Sequence, residues 1–423
     1  MIVKVNITMC IVVPTPLLGF AAADAQTCTK MLAGDIPVMT TEGTAAVMTA
    51  NEPPFGNEAT ENWGGMRDRL VQTGIFLRGS IVLEGFNNFM GGIRSGEVVG
   101  ASTIDPSIGL DAGRLVGIAG GKLYADFDDH AGQDPSNAIA GDLQVFDKLN
   151  SPPYLQLFEF WYQQLLFNGM FRFKVGKIDA NSEFSVIDYG LPFLSSSTQV
   201  SSTVFLYPTT PDPMPAVNLF FTPTQSFCAS FGAFYSNISD NFGDFSGGPQ
   251  YNQLSKYGGL FILETGYSWL KSFILPFAGN LKLGARGHDG TFQRMDNTFQ
   301  TGTGGVYAII DQTIWAHNSH RKLRSFLEYG LTQQTINSIY EHFGAGLTWA
   351  GPISSRPADV AGLTAQFAAI GHEADRPYNH ELAVEAFYAL KAFRWGSIMP
   401  AGCTGTHWSL QFISPYTSES QAV

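Results

Sequence analysis

The chain has 423 residues and a formal net charge of −12, an acidic balance that argues against nucleic-acid binding, which usually shows a basic patch. Only 14% of residues are charged, against about a quarter in an average soluble domain, while 13% are aromatic and 46 are Gly. With a mean hydropathy of +0.02, the composition fits neither a helical membrane protein nor a typical soluble enzyme. It points to a sheet protein with much apolar surface.

The N-terminus reads as a removable leader. Lys4 gives a positive start, Ile7 to Phe20 is apolar but interrupted by Pro14 and Pro16, and Ala23-Asp24-Ala25 fits a small-x-small cleavage site. Residues 1–25 are therefore expected to be a signal peptide, with a retained hydrophobic anchor as the plain alternative. No later apolar run reaches the roughly 18 residues of a membrane helix. A secreted chain of this kind is periplasmic, extracellular, or an outer-membrane barrel. Residues 26–62 are polar, small and Pro-containing, and read as a flexible leader. Cys28, Cys228 and Cys403 are odd in number and lack motif spacing, so they suggest neither a disulfide framework nor a zinc site.

From Trp63 the pattern changes. Trp63 to Leu70 can form one or two helical turns. Along Gly74 to Asn88, Ile75, Leu77, Ile81 and Leu83 share one parity, while Arg78, Ser80, Glu84 and Asn88 share the other. Such period-two alternation puts the two sets on opposite faces of a strand. Gln156 to Gln163 repeats it, with Phe158, Phe160 and Tyr162 opposite Glu159, Trp161 and Gln163. So do Gly169 to Gly176, with Phe171 and Phe173 opposite Arg172 and Lys174, and Gly279 to His288, with Leu281 and Leu283 opposite Lys282 and Arg286. A soluble sandwich would turn the apolar face inward; a membrane barrel turns it out to lipid. The charged face on strand after strand favours the barrel. So do aromatics near strand ends (Tyr124, Phe127, Trp161, Trp269, Trp315, Trp349), which read as interfacial girdles. A closed sheet also spans lipid without unpaired edges.

Several motifs carry a family resemblance. Trp63-Gly64-Gly65-x-Arg67-x-x-Leu70-x-x-x-Gly74 resembles the opening of the carbohydrate-selective porins. Glu159-Phe-Trp161-Tyr-Gln163-Gln164 looks like their central strand, and Val175-Gly176-Lys177-Ile178-Asp179-Ala180-Asn181-x-x-Phe184 is similar to their most recognisable stretch. Gly346-Leu347-Thr-Trp349-x-Gly351-Pro352-x-x-x-Arg356-Pro357-x-Asp359-x-x-Gly362 looks like their late hairpin. The motifs are collinear from about Trp63 to about Pro400. The resemblance implies an all-β, transmembrane antiparallel barrel of roughly sixteen strands occupying residues 63–400, with loops folded inward to narrow the pore. It further implies passive uptake of small sugars such as monosaccharides, and an integral place in the bacterial outer membrane, reached through the barrel-assembly machinery. No cofactor, metal or nucleic acid is expected, and a homo-oligomer stays open. A general or anion-selective diffusion porin is the alternative, and a barrel enzyme a more distant one.

A sugar-selective wall needs planar donors, carboxylates and aromatic faces, binding weakly enough to release the solute. On the polar parity the expected pore-lining, substrate-binding residues are Arg78, Glu84, Glu159, Trp161, Gln163, Arg172, Lys174 and Arg286. For each of them, plain solvation of the pore or pairing across strands is the competing role. Lys177, Asp179 and Asn181 read as turn-shaping, and Arg356 with Asp359 as a loop ion pair. His317-Asn-Ser-His320 has no suitable third ligand nearby for zinc. His372, Glu373 and His380 read as a solvent loop. Gly302-Thr303-Gly304-Gly305 lacks the Lys-Ser/Thr of a phosphate loop and reads as a flexible turn.

The C-terminus departs from the family pattern. Ser397 to Trp408 shows no alternation, Ser409 to Ser414 could supply one short strand, and residues 401–423 look like an atypical tail. The barrel is therefore expected to be one or more strands short at this end, with a seam beside Gly74–Asn88.

Overall fold

The computed structural model describes residues 60–204, 208–209, 212–235, 258–270, 276–294, 296–318, 320–371, 379–393 and 396–407, together with 4–18; for 4–18 and 403–407 only the backbone is described. In chain order the strands are β1 (Lys4–Leu18), β2 (Ile75–Met90), β3 (Val98–Asp111), β4 (Gly121–Gly132), β5 (Tyr154–Leu166) and β6 (Phe171–Ile178). There follow β7 (Met214–Phe221), β8 (Phe227–Tyr235), β9 (Gly259–Trp269), β10 (Gly279–Gln293) and β11 (Phe299–Ala316). The last are β12 (Lys322–Thr332), β13 (Ile339–Ala350), β14 (Val360–Ile370), β15 (His380–Phe393) and β16 (Gly396–His407). Helix α1 (Met66–Thr73) leads into β2, as the Trp63–Leu70 pattern suggests, and the short α2 (Ala112–Val116) joins β3 to β4.

Each strand from β2 to β16 pairs antiparallel with the next, giving one meander. Its polarity is that of a membrane barrel. Leu83, Leu283 and Leu363 are 45%, 50% and 53% exposed, whereas Glu264, Lys282 and Asp311 are at most 1% exposed. A soluble sheet would reverse these numbers; apolar outside and charged inside is what lipid on one side and a polar interior on the other require.

The ring between β2 and β16 is closed by neither of those strands pairing with the other. Instead β1 lies between them, Val12 opposite Met399 on one side and Glu84 on the other. Among the described residues, Ile75 to His407 supplies fifteen strands, one short of the expected family number. The vacant position beside β2 is taken by Lys4–Leu18, from the segment read above as a leader. β16 itself corrects the sequence reading, which saw no strand in Ser397 to Trp408. The edge of β15 offers a row of backbone groups, and pairing with them outweighs the missing side-chain alternation. Residues 409–414, the other strand candidate, lie outside the described residues.

Four more expectations change. A bulge between β4 and β5 places Phe158 and Glu159 on the same interior side, so Phe158 is buried rather than lipid-facing. Trp161 and Tyr124 are not girdle residues; they stack inside the barrel at 5.0 Å, whereas Trp315, Trp349 and Phe127 are exposed outside. Gly302 to Gly305 lie within β11 rather than in a turn. Cys228, on β8, is disulfide-bonded, which the cysteine spacing did not suggest.

Candidate functional site: the barrel interior and its inward segments

Two long connections occupy the interior, residues 133–153 between β4 and β5 and residues 179–204 of the stretch between β6 and β7. Both turn into the barrel because each carries apolar side chains that the wall receives. Phe146 meets Phe86 of β2 at 5.4 Å. Phe184 packs against Phe220 of β7 at 5.8 Å and Phe234 of β8 at 6.1 Å. Phe193 is held edge-on between Phe326 of β12 at 5.9 Å and Phe387 of β15 at 4.9 Å. The interior-facing row of the wall is thus partly aromatic where the inward chain docks, and polar elsewhere.

All eight expected lining residues lie on strands and on the interior parity, but most of them face the inward chain. Arg172 forks onto Glu183 with distances of 2.9 and 2.8 Å, donates to Gln163 Oε1 at 3.1 Å, and lies 3.5 Å from the centre of the Phe220 ring. Lys174 reaches Glu183 at 3.0 Å and Glu159 at 3.8 Å, with its ammonium 4.1 Å over Trp161. Glu159 also accepts the Asp179 N–H at 2.9 Å. Arg286 donates to Thr203 O at 2.6 Å and Thr332 Oγ1 at 2.8 Å. Glu84 is buried, with no hydrogen bond to either carboxylate oxygen. Arg78 alone of the eight is half-buried rather than buried.

Around Arg78 the wall is less covered. Ser80, Asp105, Ser107, Lys122 and Tyr124 are also half-buried and share its interior parity across β2, β3 and β4. Ser80 approaches Asp105 at 3.5 Å, and Tyr124 donates to Ser107 at 3.0 Å. Asp105 also belongs to a cluster with Asp126 and Asp128, whose carboxylates bring one oxygen each within 4.8 Å of one another, the one such group among the described residues. Oxygen donors of that kind suit a hard cation.

The charged groups on the inward chain differ in kind. Burial opposes charge on Glu183, but Arg172 and Lys174 win and hold it down to about 2. Burial, then Glu159, pushes Asp179 up to about 7. Burial, then Glu381, does the same to Asp142, and burial lifts Asp147 likewise to about 7.

Lys177, read as turn-shaping, points inward instead and holds the β5 bulge, donating to Gln156 Oε1 at 3.1 Å and Leu157 O at 2.6 Å. Gly176 makes this reversal of parity feasible: its φ is +144°, and a Cβ there would collide with the Phe160 carbonyl. Asp179 caps the turn by accepting the Asn181 N–H at 2.7 Å. Arg356 pairs with Asp359, which also receives Tyr388 O–H and Lys391 N–H. His317 and His320 belong to the turn from β11 to β12; His372 and Glu373 lie outside the described residues. One Ser–His–Glu set does occur. Ser201 Oγ lies 3.1 Å from His342 Nδ1, and Glu328 lies 3.6 Å from the same nitrogen. A nucleophile and an orienting acid must occupy opposite ring nitrogens, so this set has the wrong geometry for hydrolysis.

Sequence reasoning missed Glu264, Asp311, Glu381 and Glu385 as interior groups that bind the inward chain. Two residues four apart on one strand, both acidic, as Glu381 and Glu385 are, share a face; that was the available signal.

The profile of the carbohydrate-selective porin, OprB family, matches residues 102–401. The chain belongs to this family. Among solved structures, Pseudomonas putida OprB at high pH superimposes with a TM-score of 0.70 at 16% identity, covering 82% of this chain and 97% of that one. The low-pH structure of the same protein gives 0.53 at 16% identity, with coverage of 83% and 98%. No curated protein matches the chain. As an OprB-family porin the molecule is a carbohydrate-selective channel, and its architecture is that of outer-membrane porins.

Proposed function

We propose that this OprB-family porin passes small sugars, of monosaccharide size, passively through the bacterial outer membrane along the less covered wall of β2, β3 and β4. The observation that carries the reading is the half-buried set Arg78, Ser80, Asp105, Ser107, Lys122 and Tyr124. It combines a planar donor, an acceptor, hydroxyls and an aromatic ring in one strip. A guanidinium offers several fixed donors to adjacent sugar hydroxyls, and a carboxylate accepts from them. Arg172, Lys174 and Arg286, from the same expected lining set, act at one remove by holding the inward chain. Glu84, Glu159, Trp161 and Gln163 shape the wall beneath it.

The test is single-channel recording with and without glucose. Arg78→Ala removes sugar donors from the strip and is expected to weaken glucose block about tenfold, the factor for one charged hydrogen bond of about 1.5 kcal/mol, with little change in small-ion current. Unchanged block in Arg78→Ala moves the sugar contact off this strip. Liposome swelling with glucose, a disaccharide and an amino acid separates the sugar-selective pore from a general diffusion pore, which would admit the three by size alone.

A further inference from the structure

Irregular backbone at membrane depth is tolerated only where its polar groups find partners within the protein. In the two inward segments, four of those partners are carboxylates projecting from the wall. Glu381 of β15 accepts the Leu143 and Gln144 N–H groups, each at 3.0 Å and one on each oxygen. Glu385, on the same strand, accepts Leu194 N–H at 2.8 Å and Ser195 N–H at 3.0 Å, again one per oxygen. Asp311 of β11 accepts Asp188 and Tyr189 N–H at 3.2 and 2.9 Å. Glu264 of β9 accepts Ser185 N–H at 2.8 Å and the Tyr307 hydroxyl at 2.7 Å. All four carboxylates are at most 2% exposed.

Three of the four take the N–H groups of consecutive residues. Neighbouring amides point the same way only in particular turn-like backbone conformations, which form anion-binding concavities. A carboxylate spanning such a pair therefore selects one local conformation of the loop, as a lone hydroxyl or amide acceptor could not. Glu381 and Glu385 lie on one strand yet grip different inward segments, so β15 fixes the two segments relative to each other.

We propose that Glu381, Glu385 and Asp311, supported by Glu264, are positioning residues for sugar passage. They lock the inward segments against the far wall and thereby set the aperture and the size discrimination of the pore. The inference rests on the sugar-pore reading, but not on which wall residues touch the sugar.

The experiment compares wild type with Glu381→Gln, Glu385→Gln, the double variant, and Glu385→Asp, all reconstituted as full-length barrels. Glutamine keeps the shape but offers one acceptor oxygen where two are needed; aspartate keeps both oxygens on a shorter arm. Swelling rates for neutral solutes are the main readout, because loss of a charge alone does not change them. The disaccharide-to-glucose rate ratio is expected to rise in each Gln variant and most in the double variant. The time spent in displaced conductance levels is expected to rise about tenfold, equivalent to about 1.4 kcal/mol. Glu385→Asp should recover part of the loss. Gln variants that assemble and keep the wild-type ratio and current noise overturn the proposal. Should they fail to assemble, amide hydrogen exchange on the wild-type barrel decides: Leu194, Ser195, Leu143 and Gln144 N–H groups must be protected, and rapid exchange at these positions overturns it. If wild type shows no glucose block yet the ratio shifts in the variants, the sugar-contact strip fails while the positioning role stands.

Discussion

The wall at β6 and the wall from β9 to β15 hold the same inward chain with a different balance of chemistry. At β6 the wall supplies cations: Arg172 and Lys174 close on Glu183, a carboxylate of the segment. From β9 to β15 the wall supplies mainly carboxylates, which the segment answers with backbone N–H groups, alongside one ion pair between Lys282 of β10 and Asp188 of the segment. An ion pair is strong only while both charges are present, and removing one leaves the other buried and uncompensated. An amide pair is neutral, so its loss costs less but frees a particular backbone conformation. The first wall should therefore govern whether the barrel is stable, and the second how narrow it is.

The comparison is broken most sharply at Arg172. Arg172→Ala is expected to destabilise the barrel by about 3 kcal/mol, because Glu183 keeps only Lys174 as a partner. Thermal melting in detergent, read by heat-modifiable gel mobility, checks this. Adding Glu183→Gln to that variant should restore part of the loss; an additive double variant would show that the pair is not coupled. Next in size is Gly176→Ala, at about 2 kcal/mol, since a positive φ is strained for any residue with a Cβ and the Phe160 carbonyl must also give way. Its effect should appear in the melting temperature, and also in glucose block if the shift reaches Trp161.

The pH response sharpens the contrast with the smallest effect. Glu183, held down to about 2, contributes stability that is complete above its unfolded value of about 4.3 and lost as pH falls through about 2. Asp142, Asp147 and Asp179, pushed up to about 7, favour the protonated folded form. Their contribution is largest at low pH and is lost as pH rises from the unfolded carboxylate range through about 7. Melting temperature should rise from pH 8 toward 5 and fall again on approach to 2. Asp179→Asn should flatten the neutral limb and Glu183→Gln the acid limb; the reverse assignment would refute the direction of these shifts.

The wall was legible in the sequence because alternation is a local property. β2, β6 and β10 follow from the residues of one strand each, and with them the interior placement of Arg78, Arg172, Lys174 and Arg286. Legibility ended where a local rule was overridden. The bulge in β5 turned Phe158 inward, Gly176 did the same for Lys177, and the edge of β15 made a strand of β16 without alternating side chains. The inward segments were illegible for a different reason. Their partners lie far along the chain, Gln144 with Glu381 at a separation of 237 residues and Leu194 with Glu385 at 191. No window on the sequence contains both halves of such a contact, so the cationic residues were assigned to the solute when their nearer partner is the protein itself.

Those separations also bear on the order of assembly. Phe193 cannot find its place between Phe326 and Phe387 until β12 and β15 have both been made, and contacts this remote in sequence form slowly. Without them the inward segment of residues 179–204 has its β6 anchor, Glu183 on Arg172, but no far wall to lean on. The inward segment can therefore be fixed only once β12 and β15 are both in place, so the constriction is set no earlier than the wall that holds it.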